Sequence, residues 1–301
     1  MKIAIIGSGT VGQATGIGFL HYHNDVTFCD VDEEVLLELK AKGYNTESIS
    51  KAVIDSDVIF VCVPTPTVNG MMNDKYINSA ITDIALSLRK DSGYKVIAIR
   101  STVVPFFTRN KVIPLLEECS KLTVGKDFGV CHNPEFLRKA SALEDFLNPW
   151  RIVIGEYDKR SGDILSKLYS VFGKPIFRTT LETSEMIKYV ANAFLATKIS
   201  FFNEVFMICK ELNIDHKLVS KVVSLDPRIG EYGIHGGRPF KGGCLPKDLE
   251  AFIHFVKERG INPIILNATL QVNREMERAE FEEGFTYSSC KKGISPYTGA
   301  Y

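Results

Sequence analysis

The sequence predicts an α/β protein in which a doubly wound parallel sheet is followed by an all-helical domain, and three observations carry that expectation. Short apolar runs alternate with longer amphipathic ones as far as about residue 180, the pattern of a parallel sheet wrapped by crossover helices. A glycine-rich turn, Gly7-Ser8-Gly9-Thr10-Val11-Gly12, separates the first apolar run from the first amphipathic one. At Thr183 the rhythm changes: this capping residue, with Glu185 two positions on, opens a run to about Leu212 without Gly or Pro.

Taken in order, the candidate strands are Lys2 to Ile6, Val26 to Cys29, Val58 to Val63, Lys95 to Ile99, Phe128 to Cys131, Arg151 to Ile154 and Ile176 to Phe177. Helices are expected between them near 10–22, 33–41, 78–90, 106–119 and 158–171. After the long run come helices near 215–223, 246–259 and 264–282, with a glycine-rich loop from Asp226 to Gly243. The division expected is a dinucleotide-binding domain over 1–181, a helical domain over 182–283 and an irregular tail over 284–301.

Composition narrows the function. The 301 residues are 45% hydrophobic and 24% charged, which is the balance of a soluble globular protein. Thirty-six basic residues against 36 acidic ones leave no net field, so neither nucleic acid nor an anionic membrane is expected as a partner. No apolar stretch reaches the roughly 18 residues a membrane span needs, and Met1 to Gly7 is too short for an export signal. Seven cysteines without a CxxC, several inside apolar runs such as Cys29 and Cys62, read as reduced thiols in a cytoplasmic setting. The six histidines never share zinc-like spacing with cysteine, so no metal is expected.

In Gly7, Gly9 and Gly12 the first glycine permits a tight turn, the second lets a pyrophosphate approach the backbone, and the third lets helix and strand pack closely. Asp30, at the end of the second strand, is placed to accept hydrogen bonds from an adenosine ribose and would repel the extra phosphate of NADP. The cofactor expected is therefore NAD on a Rossmann-type sheet, a glycine-rich turn without a ligand being the alternative. The third strand leaves through Val63-Pro64-Thr65-Pro66-Thr67 and the fourth through Arg100-Ser101-Thr102-Val103, both at the carboxyl edge where ligands of such sheets sit. Singly each reads as an ordinary loop; the shared edge points to cofactor contact.

The fifth strand runs into His132-Asn133-Pro134-Glu135-Phe136-Leu137. A glutamate flanked by Pro and two apolar residues is open to desolvation, which raises a carboxyl pKa and makes a general base; a surface glutamate is the alternative. Lys188 and Asn192 stand four apart on the long helix, where an ammonium and an amide on one face could hold an oxyanion, against the reading of a solvated lysine. In Gly242-Gly243-Cys244-Leu245-Pro246-Lys247-Asp248, Pro246 fits a first helical turn. That puts Cys244 at a helix N-terminus beside Lys247, a setting that favours the thiolate; a buried structural cysteine is the alternative.

In this order the motifs GSGTVG with Asp30, VPTPT, RSTV, NPEFL followed by NPWRIVIG, SEMIKYVANAFLATKISFFNE, DPRIG and GGCLPKD resemble the nucleotide-sugar dehydrogenase family, its UDP-glucose members above all. The resemblance spans about residues 1–280. It implies oxidation of a sugar primary alcohol to a carboxylate in two NAD-dependent steps for polysaccharide biosynthesis. Cys244 would be the nucleophile, forming a thiohemiacetal and then a thioester. Glu135 would assist hydrolysis, Lys188 and Asn192 would hold the oxyanion, and Asp248 with Thr102 would position water. Gly7, Gly9, Thr10, Val11, Gly12, Asp30, Thr65, Ser101 and Lys247 would line the cofactor site. Phe136, Leu137, Gly243 and the loop before it would line the sugar site. Arg228 resembles an arginine that reaches a neighbouring subunit's substrate, which implies a homodimer.

Departures are equally visible. Lys139 stands where glutamate is usual in the family, Val35 where a cofactor-binding lysine is common, and Lys241 where glycine precedes the nucleophile. The family's second nucleotide-binding domain is not within these residues, so a separate chain supplying it is a candidate partner. UDP-glucose to UDP-glucuronate is the expected reaction. Alternatives are the same chemistry on UDP-N-acetyl-hexosamine or GDP-mannose, a hydroxyacid dehydrogenase with a helical Lys and Asn, and a non-catalytic or split NAD-binding subunit.

Overall fold

The computed structural model describes residues 1–282, with side chains as far as Ala279; the expected tail over 284–301 and Cys290 lie outside the described residues. In chain order the elements are β1 (Lys2–Ile6), α1 (Thr10–His21), β2 (Asp25–Cys29), α2 (Glu33–Ala41), β3 (Asn45–Thr46), α3 (Ile49–Asp55), β4 (Val58–Val61), β5 (Thr67–Val68), β6 (Met71–Met72), α4 (Lys75–Ser87) and β7 (Lys95–Ile99). There follow α5 (Ile113–Ser120), β8 (Phe128–His132), α6 (Ala142–Leu147), β9 (Ile152–Glu156), α7 (Lys159–Tyr169), β10 (Ile176–Thr180), α8 (Leu181–Glu211), α9 (His216–Ser224), α10 (Leu245–Lys257) and α11 (Ile264–Glu282). The chain divides into two compact units, one of residues 1–66 and 72–188, the other of 67–71 and 189 onward.

The first unit is built on an eight-stranded sheet in the order β10-β9-β8-β7-β4-β1-β2-β3. Its central strands are buried on both faces, as a parallel sheet between two helical layers requires. Ile3, Ile5, Val58, Phe60, Val96 and Ala98 pack on one side with Phe19 of α1, Leu39 of α2, Phe146 of α6 and Tyr169 of α7. Ala4, Ile6, Ile59, Val61, Ile97 and Ile99 pack on the other with α3, α4 and α5. Phe19, Phe60, Phe146, Tyr169 and Phe172 form a ring cluster on the first side, with centroids 5.1–6.5 Å apart.

The sheet is not wholly parallel. Cys131 of β8 pairs antiparallel with Glu156 of β9, and β10 runs parallel to β9, so these last two strands are reversed. The connection between β8 and β9 holds the six-residue α6, and the chain re-enters the sheet from the edge it left. β4 ends at Val61, two residues before the expected end, because Pro64 and Pro66 cannot continue a ladder. The helix expected over 106–119 begins as a π turn, Thr108–Val112, and excludes Phe106, whose φ of 72° is not helical. A ribbon of β5 and β6 turns at Asn69 and Gly70, both at positive φ.

The division between units falls inside α8 rather than at its start, because the first turns of α8 belong to the sheet. Leu181 is part of the apolar core and Ser184 bonds His132. That helix starts at Leu181, with the Thr180 hydroxyl accepting from the Thr183 backbone N–H at 3.3 Å, so Thr183 lies within its first turn instead of capping it. The second unit packs the rest of α8 with α9, α10 and α11. Thr197 and Thr269 meet hydroxyl to hydroxyl at 2.9 Å, and the Tyr189 and Phe252 rings meet at a tilt of 38° with centroids 5.5 Å apart.

Candidate active site

The turn after β1 has the steric logic its glycines require. Gly7 has a φ of +90°, and a Cβ there would lie 2.9 Å from the Val63 nitrogen. At Gly12 a Cβ would lie 2.0 Å from the Gly7 carbonyl oxygen, so α1 and the turn touch backbone to backbone. Above Gly9 there is nothing within 4 Å. Gly9 is also the N-cap of α1, with no side-chain cap and no acidic residue in the first turn, whereas Asp residues cap α2, α7 and α9. The first N–H groups of α1 thus have no side-chain cap and no nearby carboxylate on their own turn, the setting an anion needs.

Asp30 stands beside this turn, accepting from Ser8 N–H at 2.6 Å and Asp32 N–H at 3.0 Å. A carboxylate has further lone pairs for a ribose. Thr10 is exposed and Val11 half-buried at the mouth of the turn. These residues fit a dinucleotide. Thr65 and Ser101 are buried and donate their hydroxyls inward, to Thr102 O at 2.7 Å and Val63 O at 2.6 Å, so towards a ligand they offer acceptor lone pairs. Thr102 is half-buried beside them.

Beyond β8, Lys188 Nζ donates to Glu135 at two points, the carbonyl at 2.7 Å and Oε1 at 2.9 Å, and the Leu137 N–H donates to Oε2 at 2.5 Å. Lys188 is 3% exposed and Glu135 8%, which corrects both the solvated lysine and the surface glutamate. The expected raised carboxyl is also corrected. Burial pushes the Glu135 pKa up, but the Lys188 charge and hydrogen bond, the Leu137 N–H and the Arg100 charge together hold it below the ordinary value. Glu135 is therefore an ionised base clamped by an ammonium. Phe136 lies under the Arg151 guanidinium at 3.9 Å, and Leu137 packs against the apolar core.

The start of this loop is fixed by groups to which sequence reasoning gave no role. Asn133 accepts from Arg100 at 2.7 Å and from the Tyr169 hydroxyl at 2.6 Å while donating to Val153 O at 2.8 Å. His132 is wholly buried, its Nδ1 2.8 Å from Ser184 Oγ, and burial with the Lys188 charge lowers its pKa to about 3, so the ring is neutral.

In the second unit Cys244 is the N-cap of α10, with Pro246 in the first turn, and it is the exposed thiol among six described cysteines, none in a disulfide. Asp248, one turn on and 2% exposed, holds Lys247 Nζ on Oδ1 and Asn192 Nδ2 on Oδ2 at 2.6 Å. Lys188 and Asn192, one turn apart on α8, thus take different carboxylates, Glu135 and Asp248. The Lys247 carbonyl accepts from Thr67 Oγ1 at 2.9 Å. Gly242 has a φ of +96°, and a Cβ at Gly243 would meet nothing within 4 Å. Two buried amides hold the preceding loop: Asn203 bonds Gly237 N and Arg238 O, and Asn273 bonds both backbone groups of Phe240. Arg228 is exposed and paired with Asp226 of its own loop; Lys139 and Lys241 are exposed, and Val35 packs against the core.

Among the described residues no helix is long and apolar enough to cross a membrane. Residues 41–173 match the NAD binding domain, and 182–275 the central domain, of the UDP-glucose/GDP-mannose dehydrogenase family. GDP-mannose 6-dehydrogenase of Pseudomonas aeruginosa is 37% identical, covering 98% of this chain and 73% of that protein. UDP-glucose 6-dehydrogenase TuaD of Bacillus subtilis is 35% identical, covering 97% and 67%. The solved structure of a UDP-glucose dehydrogenase from the archaeon Pyrobaculum islandicum matches with a TM-score of 0.85 at 34% identity, covering 94% of this chain and 71% of that one.

Proposed function

Since the chain belongs to the UDP-glucose/GDP-mannose dehydrogenase family and is an NAD-dependent enzyme of that type, we propose that it oxidises the primary alcohol of UDP-glucose to UDP-glucuronate through a Cys244 thioester. The observation that carries this reading is the exposed Cys244 thiol at the start of α10, one turn from the Asp248–Asn192–Lys247 cluster. Residues 1–181 serve the cofactor and 182–283 carry the nucleophile.

NAD⁺, when bound, accepts the hydride released in each of the two oxidations. Gly7, Gly9, Thr10, Val11 and Gly12 hold its pyrophosphate and Asp30 its ribose, with Thr65, Ser101 and Lys247 alongside. Asp248 and Thr102 orient a water that takes the alcohol proton as the first hydride leaves. Cys244 Sγ bonds to the aldehyde carbon, giving a thiohemiacetal. Lys188 and Asn192 are assigned to the oxyanion, and loss of the second hydride leaves a thioester. Glu135, kept ionised by Lys188, takes a proton from the water that breaks the C–S bond and returns the thiolate. One water is consumed and two NADH are formed per acid. Phe136, Leu137 and Gly243 border the sugar. Arg228, exposed and anchored only within its own loop by Asp226, is assigned to a neighbouring copy's substrate in a homodimer. Reduced thiols suit a cytoplasmic setting.

The test is NADH formed per limiting UDP-glucose. Two per sugar in the wild type, none in Cys244→Ala, and unchanged NAD binding in that variant are expected. Undiminished acid from the variant would remove the thioester route. GDP-mannose is the second reading, favoured by the 37% identity to a GDP-mannose enzyme, and the same count on that sugar decides between them. Measurable NAD binding without turnover on any sugar would favour a subunit that works with a separate nucleotide-binding chain.

A further inference from the structure

Phe106 adopts a φ of 72°, a left-handed backbone that an aromatic residue rarely holds unless its surroundings impose it. It lies on the loop that leaves β7 through Ser101 and Thr102 and enters the π turn at Thr108. The Glu185 carboxylate is the group that meets this loop. Its Oε2 accepts the Phe106 N–H at 2.7 Å and its Oε1 the Thr108 N–H at 2.9 Å, with the side chain wholly buried. The two donors are 77 and 79 residues away in sequence, so the bond ties α8 to a distant loop.

Other residues of the first turns of α8 make comparable ties. Glu182 pairs with Arg109, Ser184 bonds His132, and Lys188 pairs with Glu135. We propose that Glu185 is a positioning residue that sets the Ser101–Thr102 loop against the Glu135–Lys188 pair, with its ionised form holding both backbone N–H groups. This rests on the reading that Thr102 serves the reaction. On protonation one of the two oxygens becomes a hydroxyl, a weaker acceptor than a carboxylate oxygen, so one of the two N–H bonds weakens.

The protonation change falls where it can be measured. Burial, the largest influence, lifts the Glu185 carboxyl to about 7 against the pull of hydrogen bonds from Thr108 and Phe106, and the Glu182 charge pushes the same way. The charged neighbours are engaged elsewhere. Glu182 on the same helix pairs with Arg109 of the π turn, Lys188 pairs with Glu135, and the His132 ring across from Ser184 stays neutral. On this proposal the loop is held more tightly with Glu185 ionised than with it protonated.

The experiment is deuterium exchange of the peptide covering 102–110 in the wild-type chain between pH 6 and 8.5, corrected for intrinsic rates, with Glu185→Gln and Glu185→Asp alongside. Protection in the wild type is expected to rise through pH 7, to stay flat and low in the Gln variant, and to recover part of its pH dependence in the Asp variant. Turnover in Glu185→Gln should fall about tenfold in kcat with KM for the nucleotide sugar within about twofold, and the acid limb near pH 7 should vanish. Protection that ignores pH in the wild type, or a Gln variant with wild-type kcat and pH profile, would overturn the assignment. If the Gln variant fails to fold, the wild-type exchange decides alone. Exchange needs no substrate, so a failed sugar assay would count against the proposed reaction and leave the Glu185 result standing.

Discussion

The two glycines at the ends of the first turn of α1 should respond differently to the same added methyl group. In Gly12→Ala the new Cβ would sit 2.0 Å from the Gly7 carbonyl oxygen and 3.1 Å from Ile5 Cγ2, so about 1.4 Å must open to reach the 3.4 Å of ordinary contact. The obstacle is backbone, which places the cost at or above the upper end of the ~1–3 kcal/mol typical of overpacking. In Gly9→Ala the methyl meets nothing within 4 Å, and the native φ of −72° suits alanine. Its stability change should stay within about 1 kcal/mol, a small N-cap loss being offset by a stiffer unfolded chain. The same methyl fills the space a pyrophosphate needs, so NAD affinity should fall at least about tenfold, or ~1.4 kcal/mol. Thermal melting and NADH fluorescence titration on both variants separate the effects. Gly9→Ala should melt within about 3 °C of wild type yet lose the cofactor, while Gly12→Ala loses both. Wild-type NADH affinity in Gly9→Ala would refute the cradle, and an unshifted melt in Gly12→Ala would refute the backbone contact.

Lys188→Ala leaves the Glu135 carboxylate buried without its ammonium, at a cost of about 3–5 kcal/mol in urea unfolding. The folded Glu135 pKa lies below its ordinary value of 4.5, so the stability it contributes is present above that value and fades as pH falls through the folded one; the gap between variant and wild type should narrow below pH 4.5. Glu135→Gln should slow deacylation so that a thioester mass adduct accumulates on Cys244 during turnover; unchanged turnover with no adduct would remove Glu135 from the mechanism. Mixing inactive Arg228→Ala with inactive Cys244→Ala after subunit exchange should restore about a quarter of wild-type activity, since half the dimers are mixed and each mixed dimer has one intact site. No recovery would place Arg228 and Cys244 of one copy at the same site.

What could be read from the residues alone was whatever has a local steric or chemical reason. Gly7 and Gly12 are legible because each is demanded by its immediate neighbours, and Gly9 because it falls between them at the N-cap of α1. Asn69-Gly70 is an equally local hairpin signal, and Ser48 a helix-cap signal ahead of α3. The reversal of β9 and β10 leaves no trace in periodicity, because strands of either direction alternate with a period of two. The protonation of Glu135 is hidden from the sequence for a related reason. Its flanking Pro and Phe are visible in sequence, but the ammonium that governs it arrives from 53 residues away. Glu185 reads in the sequence only as part of a helix start, and its partners are more distant still.

The reversed strands also explain how α8 comes to meet the loops of the sheet. Because β9 descends beside β8 with Glu156 level with Cys131, and β10 follows it with Thr180 level with Glu156, the chain is handed to α8 beside the last residues of β8, not above them. Gly155 is the fulcrum: a Cβ there would strike Ser184 Cβ at 2.5 Å and the Thr180 carbonyl at 2.9 Å. From Leu181 to Lys188 the helix climbs about 10 Å, passing His132 before it reaches Glu135. A side chain at 155 would tilt that lever at its base and swing Ser184, Glu185 and Lys188 off their partners together, although residue 155 touches none of the atoms assigned to the chemistry.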